Sequence, residues 1–255
     1  DPGPDSTDHL NAILAAIGTG NVSHIIVTHN HLDHSPLAKP LSEATGAKIY
    51  AFGDHHAGRS AIMKELSSQG LAGGGEGIDS RFKPDVILQD GEIITTNDWT
   101  LTALHTPGHI GNHLSLIWGD AVFSGDHVMG WASSLVSPPD GDLTDFMTSC
   151  AKLHALNSRI LYPAHGAPIT APNARIDWLT NHRLTREAQV LKALLRGPKT
   201  TAKITSEIYT DIDPALLAAA ERNVFAHLVD LHQRAKITAT PTLSTDAKFN
   251  PSEEN

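Results

Sequence analysis

Seven residues in four separate stretches have the types and spacing of a two-metal hydrolytic site: His29, His31, Asp33 and His34 in THNHLDH, His109 in TPGH, Asp126 in FSGDH and His165 in YPAHG. His29 and His31 stand two apart where the apolar run Ile25-Ile26-Val27 ends. Side chains two apart on a strand share a face, so one ion can take both imidazoles. The chain then turns, and the adjacent Asp33 and His34 can reach a second position, at the roughly 3.5–4 Å separation of two-metal sites. Neutral imidazole with carboxylate suits two zinc ions, and also iron or manganese. The plain alternative is chance clustering in a chain with 16 histidines. It accounts poorly for HxHxDH directly after a β-branched run, with Pro-Gly-His and Ala-His-Gly turns downstream. Two ions sharing a hydroxide would lower the pKa of bound water and polarise a carbonyl or phosphoryl oxygen, so no Ser or Cys nucleophile is needed. Asp33 and Asp126 are the candidate catalytic carboxylates, able to carry the proton of the attacking water as well as bind metal.

At these residues the sequence resembles the metallo-β-lactamase superfamily, whose members carry HxHxDH, a later His, an Asp after a strand and a final His. The resemblance runs from Asp1 to about Ala171. It implies that His29, His31 and His109 hold a first metal, that Asp33, His34 and His165 hold a second, and that Asp126 bridges them. The β-lactamases that name the superfamily commonly have Cys where Asp126 stands. The only cysteine here, Cys150 in FMTSCAKLHAL, reads as a small buried side chain on a helix face. An aspartate bridge resembles the glyoxalase-II-like and RNA-processing branches. SGDHVMGW, SPPDGDLTDFM, His182-Arg183, Arg186-Glu187 and LLAAAERNVFAHLVDLHQRAKI are similar to the branch of β-lactamase-like endoribonucleases and their bacterial relatives. The fold implied is α/β: an αββα sandwich over residues 1–172, with the family's N-terminal strands missing from this sequence, a small helical winged-helix-like domain over 173–242, and a mobile tail over 243–255. The opening Asp1-Pro2-Gly3 resembles the family's Asp-x-Gly loop, whose aspartate supports the metal ligands.

The elements that must position these residues are legible as patterns. Thr7 to Ile17 has the apolar spacing of an amphipathic helix, Leu10, Ile13, Leu14 and Ile17, closed by Gly18. A strand from His24 to Thr28, a helix from Ser35 to Thr45 and a strand from Lys48 to Phe52 follow. Thr100–Thr106, His113–Trp118 and Ala121–Ser124 read as strands, Asp142–Asn157 as a helix and Arg159–Tyr162 as a short strand. Every proposed ligand therefore follows a strand, where a loop can carry function on a rigid scaffold. GLAGGGEG at Gly70–Gly77 lacks a phosphate-loop pattern and reads as a flexible flap or linker. His55, His56 and Arg59 could border a substrate pocket, with Arg59 as an anion contact. His113 could support a ligating imidazole, and His127 is expected beside the bridge rather than at the metal.

Composition bounds the rest. With 255 residues, 40% of them hydrophobic, the chain can bury a sizeable core. No run approaches the roughly 18 apolar residues of a membrane span, so no membrane partner is expected. One cysteine permits no disulfide within the chain, and no signal segment opens the sequence, so a reducing cytoplasm is expected. Nineteen Lys and Arg against 28 Asp and Glu leave a net charge of −9, which argues against a broad polyanion-binding face. Residues 183–240 are locally positive, with nine Lys/Arg and six Asp/Glu, yet Pro214–Arg234, the stretch that would be a recognition helix, carries Glu221 and Asp230 beside only Arg222 and Arg234. A small-molecule ester, thioester or lactam is the favoured substrate. Cleavage of single-stranded RNA is the alternative, and a non-catalytic binding module is disfavoured because all seven ligand types are present.

Overall fold

A computed structural model describes residues 1–74 and 77–252 of the chain. Its first helix, α1 (Thr7–Ile17), starts at Ser6, whose hydroxyl accepts from the His9 amide, and stops at Gly18. Its apolar stripe of Leu10, Ile13, Leu14 and Ile17 packs on Ile25, Val27, Ile49 and Ala51, which lie on or beside β1 (His24–Ile26) and β2 (Lys48–Ala51). Helix α2 (Ala38–Thr45) joins those strands and adds Ala38 and Leu41 to the same core. After α3 (Ala61–Ser68), β3 (Val86–Ile87) completes a three-stranded parallel sheet in the order β1-β2-β3.

The second sheet has five strands in sequence order: β4 (Ile93–Thr95), β5 (Thr100–His105), β6 (Leu114–Trp118), β7 (Ala121–Gly125) and β8 (Ile160–Pro163). Its pairs are antiparallel until β7 and β8, which run parallel because helix α4 (Leu143–Ala155) makes the crossover between them. Period-two alternation sorts its side chains into two layers. Ala103, Leu114 and Leu116 meet Leu88 and the first sheet's Ile26 and Tyr50, so the sheets stack face to face. Leu104, Ile117 and Val122 point the other way, onto Phe146, Cys150 and Leu153 of α4 and onto Ile176 and Leu179 of helix α5 (Pro172–Leu194). The layer order is thus helix, sheet, sheet, helix, each fully buried Leu, Ile or Phe contributing roughly 1.5–3 kcal/mol relative to exposure.

The 23-residue α5 leaves this core and enters another. Its Val190, Ala193 and Leu194 pack with helix α6 (Thr201–Ile208), helix α7 (Leu217–Gln233) and the antiparallel hairpin of β9 (Ile237–Thr240) and β10 (Lys248–Pro251). Two helices followed by a two-stranded wing give the winged-helix form. Met63 and Leu66 of α3 share this core, so the sandwich and the C-terminal unit are joined by buried apolar contact.

Three expectations change. The stretch from residue 243 is not a mobile tail through 252: β10 pairs with β9, Phe249 is fully buried, and its backbone bonds Lys199 in both directions. Residues 253–255 lie outside the described residues, as do Gly75 and Glu76 of the glycine-rich stretch expected to be a flap. The α2 helix begins at Ala38 rather than Ser35, because the His34 and Ser35 amides both turn back onto the His31 carbonyl. Strand β1 ends at Ile26, so His29 and His31 converge through a loop and not through strand alternation.

Candidate metal centre

All seven residues singled out by type and spacing lie at one edge of the sandwich, in the loops after β1, β5, β7 and β8. They form two adjoining groups, His29 with His31 and His109, and Asp33 with His34, Asp126 and His165. In the first group His29 Nε2 and His109 Nε2 each lie 3.0 Å from His31 Nδ1. In the second, Asp33 Oδ2 is 3.3 Å from His34 Nε2 and 3.1 Å from His165 Nε2, and the two imidazole nitrogens are 3.2 Å apart. Asp126 Oδ2 stands between the groups, 3.5 Å from both His34 Nε2 and His165 Nε2 and 3.9 Å from His109 Nε2.

Neighbouring groups fix which ring nitrogens carry protons. The Asp1 carboxylate accepts from the Thr28 amide at 2.6 Å and from the Thr28 hydroxyl at 2.8 Å. Having given its one proton to Asp1, that hydroxyl must accept from His29 Nδ1, 2.9 Å away, which leaves His29 Nε2 with a bare lone pair. Asp1 also accepts from His34 Nδ1 at 3.0 Å, and the Leu135 carbonyl accepts from His109 Nδ1 at 2.8 Å. Those bonds leave His34 Nε2 and His109 Nε2 bare when the rings are neutral.

The residues fit metal ions by this test. His31 Nδ1 has one proton at most and faces two bare nitrogens, so one of its 3.0 Å contacts sets lone pair against lone pair unless a cation stands between them. Ligands about 2.0–2.1 Å from one tetrahedral ion lie roughly 3.3 Å from each other, so a small opening of this trio admits an ion. Asp33 Oδ1 and Asp126 Oδ1 are buried and have no hydrogen-bond partner among the described residues. Such orphaned acceptors are costly unless something positive meets them.

The electrostatics agree. Burial, reinforced by the charges of neighbouring imidazoles, holds His29 well below the ordinary range and His31 down at about 3, so both are neutral donors. Burial also draws His34 down, but the Asp126 and Asp33 carboxylates more than offset it and raise the ring to about 9. Both carboxyls are lowered in spite of burial, by their bonds to His34 and by nearby imidazoles. The second group is a concentrated negative site that attracts a proton or a metal cation.

Other singled-out residues take supporting or separate places. His113 accepts from the Asp126 amide through Nε2 at 3.1 Å and donates from Nδ1 to Thr106 at 2.9 Å, so it orients the Asp126 backbone and not a ligating ring. A Cβ on Gly125, whose φ is +50°, would strike that imidazole. His127 faces Cys150, with Nε2 3.6 Å from Sγ, and the thiol is buried and pushed up to about 12. The expected anion contact Arg59 instead pairs with Asp140 at 2.6 Å. His55 and His56 lie against each other at a tilt, ring centroids 3.8 Å apart, and belong to none of the metal-binding groups found among the described residues.

Sequence patterns gave no sign of Thr28 or of the Leu135 carbonyl. They marked Arg183 only as part of His182-Arg183. This arginine is buried without an acidic partner among the described residues. It donates to the Ser134 carbonyl and, at 2.8 Å, to Asn223 of α7, while the Ser134 hydroxyl donates to the Asp126 carbonyl. The C-terminal helices thereby hold the loop that carries both Asp126 and Leu135.

Comparison with known proteins agrees with this geometry. The profile described as Metallo-beta-lactamase superfamily matches residues 1–165. The chain belongs to that superfamily, and it is a metal-dependent hydrolase. A second profile, Beta-lactamase associated winged helix domain, matches residues 200–242. The chain is 28% identical over 230 residues to Beta-lactamase-like protein 2 homolog of Caenorhabditis elegans, covering 87% of this chain and 69% of that one. It is 31% identical over 192 residues to an atrochrysone carboxyl ACP thioesterase of Aspergillus fumigatus, covering 73% of this chain and 52%, about half, of that protein. A metallo-beta-lactamase family protein from Thermus thermophilus shares the fold with a TM-score of 0.77 at 22% identity, over 98% of this chain and 88% of that one. Among the described residues no helix is long and apolar enough to cross a membrane.

Proposed function

We propose that this hydrolase holds two zinc ions, one at His29, His31 and His109 and one at Asp33, His34 and His165, with Asp126 between them, and that it cleaves a small-molecule thioester, ester or lactam. The observation that carries the dinuclear reading is the place of Asp126 Oδ2, within 3.5–3.9 Å of imidazole nitrogens from both groups. Two divalent ions at such a site supply a water of lowered pKa and draw electron density from a scissile carbonyl. The chain's own residues do the rest. Asp1 and Thr28 keep the His29 and His34 lone pairs aimed inward, and the Leu135 carbonyl does the same for His109. Asp33 and Asp126, each with an oxygen unpartnered among the described residues, are placed to orient the attacking water and take its proton.

Two features favour a small molecule over RNA. A relative is named as a thioesterase. A thiolate, from a thiol of pKa about 8.5, departs without help from a strong acid. Helix α7, which would read nucleic acid, is buried continuously from Val224 to Leu231, and its Arg222 bonds the Ser137 hydroxyl and the Ala72 carbonyl. It lacks the exposed basic face that phosphate reading needs.

The test combines elemental analysis of the purified protein with thioester, ester, cephalosporin and single-stranded RNA substrates, each with and without chelator. About two metal ions per chain and chelator-sensitive thioester turnover are expected. His29→Ala and Asp126→Ala should each lose both metal and turnover. Chelator-sensitive RNA cleavage with no small-substrate turnover would sink the substrate assignment, and full turnover in both variants would sink the site assignment.

A further inference from the structure

The seven residues of the metal centre are not equally accessible. His29, His31, His34, His109 and Asp126 are buried, whereas the side chains of Asp33 and His165 are 33% and 42% exposed. A reactant therefore approaches from the His165 side. Next to His165, the backbone of Gly166 abuts an indole: a Cβ there would stand 3.1 Å from Trp131 Cδ1. Trp131 is 73% exposed. It opens a cleft of about 600 Å³, lined further by Pro168, Ile169, Ala174, Arg175 and Trp178, within the size range of small-molecule sites.

An exposed tryptophan on a slack loop would carry little meaning, but this loop is braced. Arg175 donates to the Met129 carbonyl at 2.7 Å and to the Ala132 carbonyl at 2.6 Å, so the backbone is held on both sides of Trp131. Gly130 lies against the Ala167 carbonyl and the Ile169 side chain, which ties the loop to the segment after His165. The Arg175 guanidinium also covers the Trp178 ring, 4.5 Å from its centroid. Holding the largely exposed Trp131 and the half-exposed Trp178 on a fixed backbone is unfavourable unless something apolar meets their open faces. Two of the five Arg175 N–H donors are engaged with backbone carbonyls and its face lies on Trp178, while the remaining lining is mostly apolar, so the cleft suits an uncharged apolar group.

We infer that this cleft binds the apolar acyl group of the substrate, running from Gly166 along Trp131 toward Trp178 while the carbonyl lies at His165 and Asp33. The inference deepens the thioester reading above and rests on it for the position of the reacting carbonyl. It makes the enzyme selective for acyl groups long or flat enough to reach the indoles.

The metal-loaded enzyme is assayed with N-acetylcysteamine thioesters of acetyl, hexanoyl, decanoyl and naphthoyl groups, and the metal-stripped protein is titrated with the matching non-hydrolysable decanoyl thioether by tryptophan fluorescence. In the wild type kcat/KM should rise with acyl size. The decanoyl-to-acetyl ratio should fall about tenfold in Trp131→Ala, the loss expected from removing most of an indole's contact area, and should recover in Trp131→Phe. Trp118→Ala, exposed on the second sheet away from the cleft, should leave that ratio as it is. Thioester turnover whose ratio is the same in wild type, Trp131→Ala and Trp178→Ala would overturn the cleft assignment. Fluorescence quenching by a single-stranded oligoribonucleotide but not by the thioether would overturn it in favour of base stacking. Thioether binding that depends on Trp131, without turnover of any thioester, would uphold the cleft and refute the thioesterase reaction.

Discussion

A ligating imidazole is useful only if the correct nitrogen is bare, and here the relay from His29 through Thr28 to Asp1 decides that for one ring while Asp1 decides it for His34. Replacing Thr28 by Val keeps the shape and removes the relay. The change should weaken metal binding by about 10–100-fold, the usual effect of losing a group that orients a ligand, with little change in the unfolding of the metal-free protein. Competition against a chromophoric chelator reads it, and unchanged affinity would show that the relay does not matter. Proton release is a second consequence. Without metal, His34 is raised from its ordinary 6.5 to about 9, so its stabilising effect is fully present below pH 6.5 and lost as pH rises through about 9. Metal binding between those limits must displace that proton, whereas His29 and His31 are already neutral. Calorimetric titration at pH 7.5 in buffers of different ionisation enthalpy should report about one proton released per chain loaded.

At the scale of elements, the Pro-Gly-His turn works through close approach as much as through its histidine. Gly108 has φ +138° and lies against the backbone of Phe146 at the start of α4, where a Cβ has no room. Helix α4 is itself held in place by Asp142, which caps its first turn and accepts from Ser60 at 2.7 Å. Helices α5 and α7 bear on the same loops through Arg183 and Asn223. Arg183→Ala leaves the buried Ser134 carbonyl and Asn223 side chain without that donor, and should cost roughly 2–3 kcal/mol in denaturant unfolding. Because Leu135 adjoins Ser134, it should also weaken the metal at His109, visible as an altered spectrum of the cobalt-substituted protein. A loss of stability with an unaltered cobalt spectrum would limit Arg183 to a structural role.

For the whole molecule, the two candidate metal-binding groups draw residues from loops that follow strands of both sheets, so metal ions held there would link loading to folding. With free zinc at a thousandfold excess over Kd, the native state should gain about 4 kcal/mol per site, and chelator should lower Tm accordingly. A Tm indifferent to chelator would mean that the groups do not bind metal in solution. The C-terminal unit is part of the same body, since Met63 and Leu66 of the sandwich lie in its core and Ala226 of α7 lies in the core of the second sheet.

Read alone, the sequence determined what depends on residue type and short spacing: the loops after strands that carry the seven candidate residues, the amphipathic α1 closed by Gly18, the strands β5 to β8, and the helical C-terminal unit. Those signals are local, because helical and strand periodicity and turn chemistry act over a few residues. Tertiary structure alone decided the rest. It set the tautomers, which depend on Asp1 meeting residues 27 and 33 positions away, and the anchor of His109, which is a backbone carbonyl with no side-chain signature. It also paired β10 with β9, a short mixed-polarity segment that gains order only by burying Phe249 among distant helices. It further set an exposed Trp131 beside Gly166, next to His165, since exposure is a property of the packed surface and not of any residue in it.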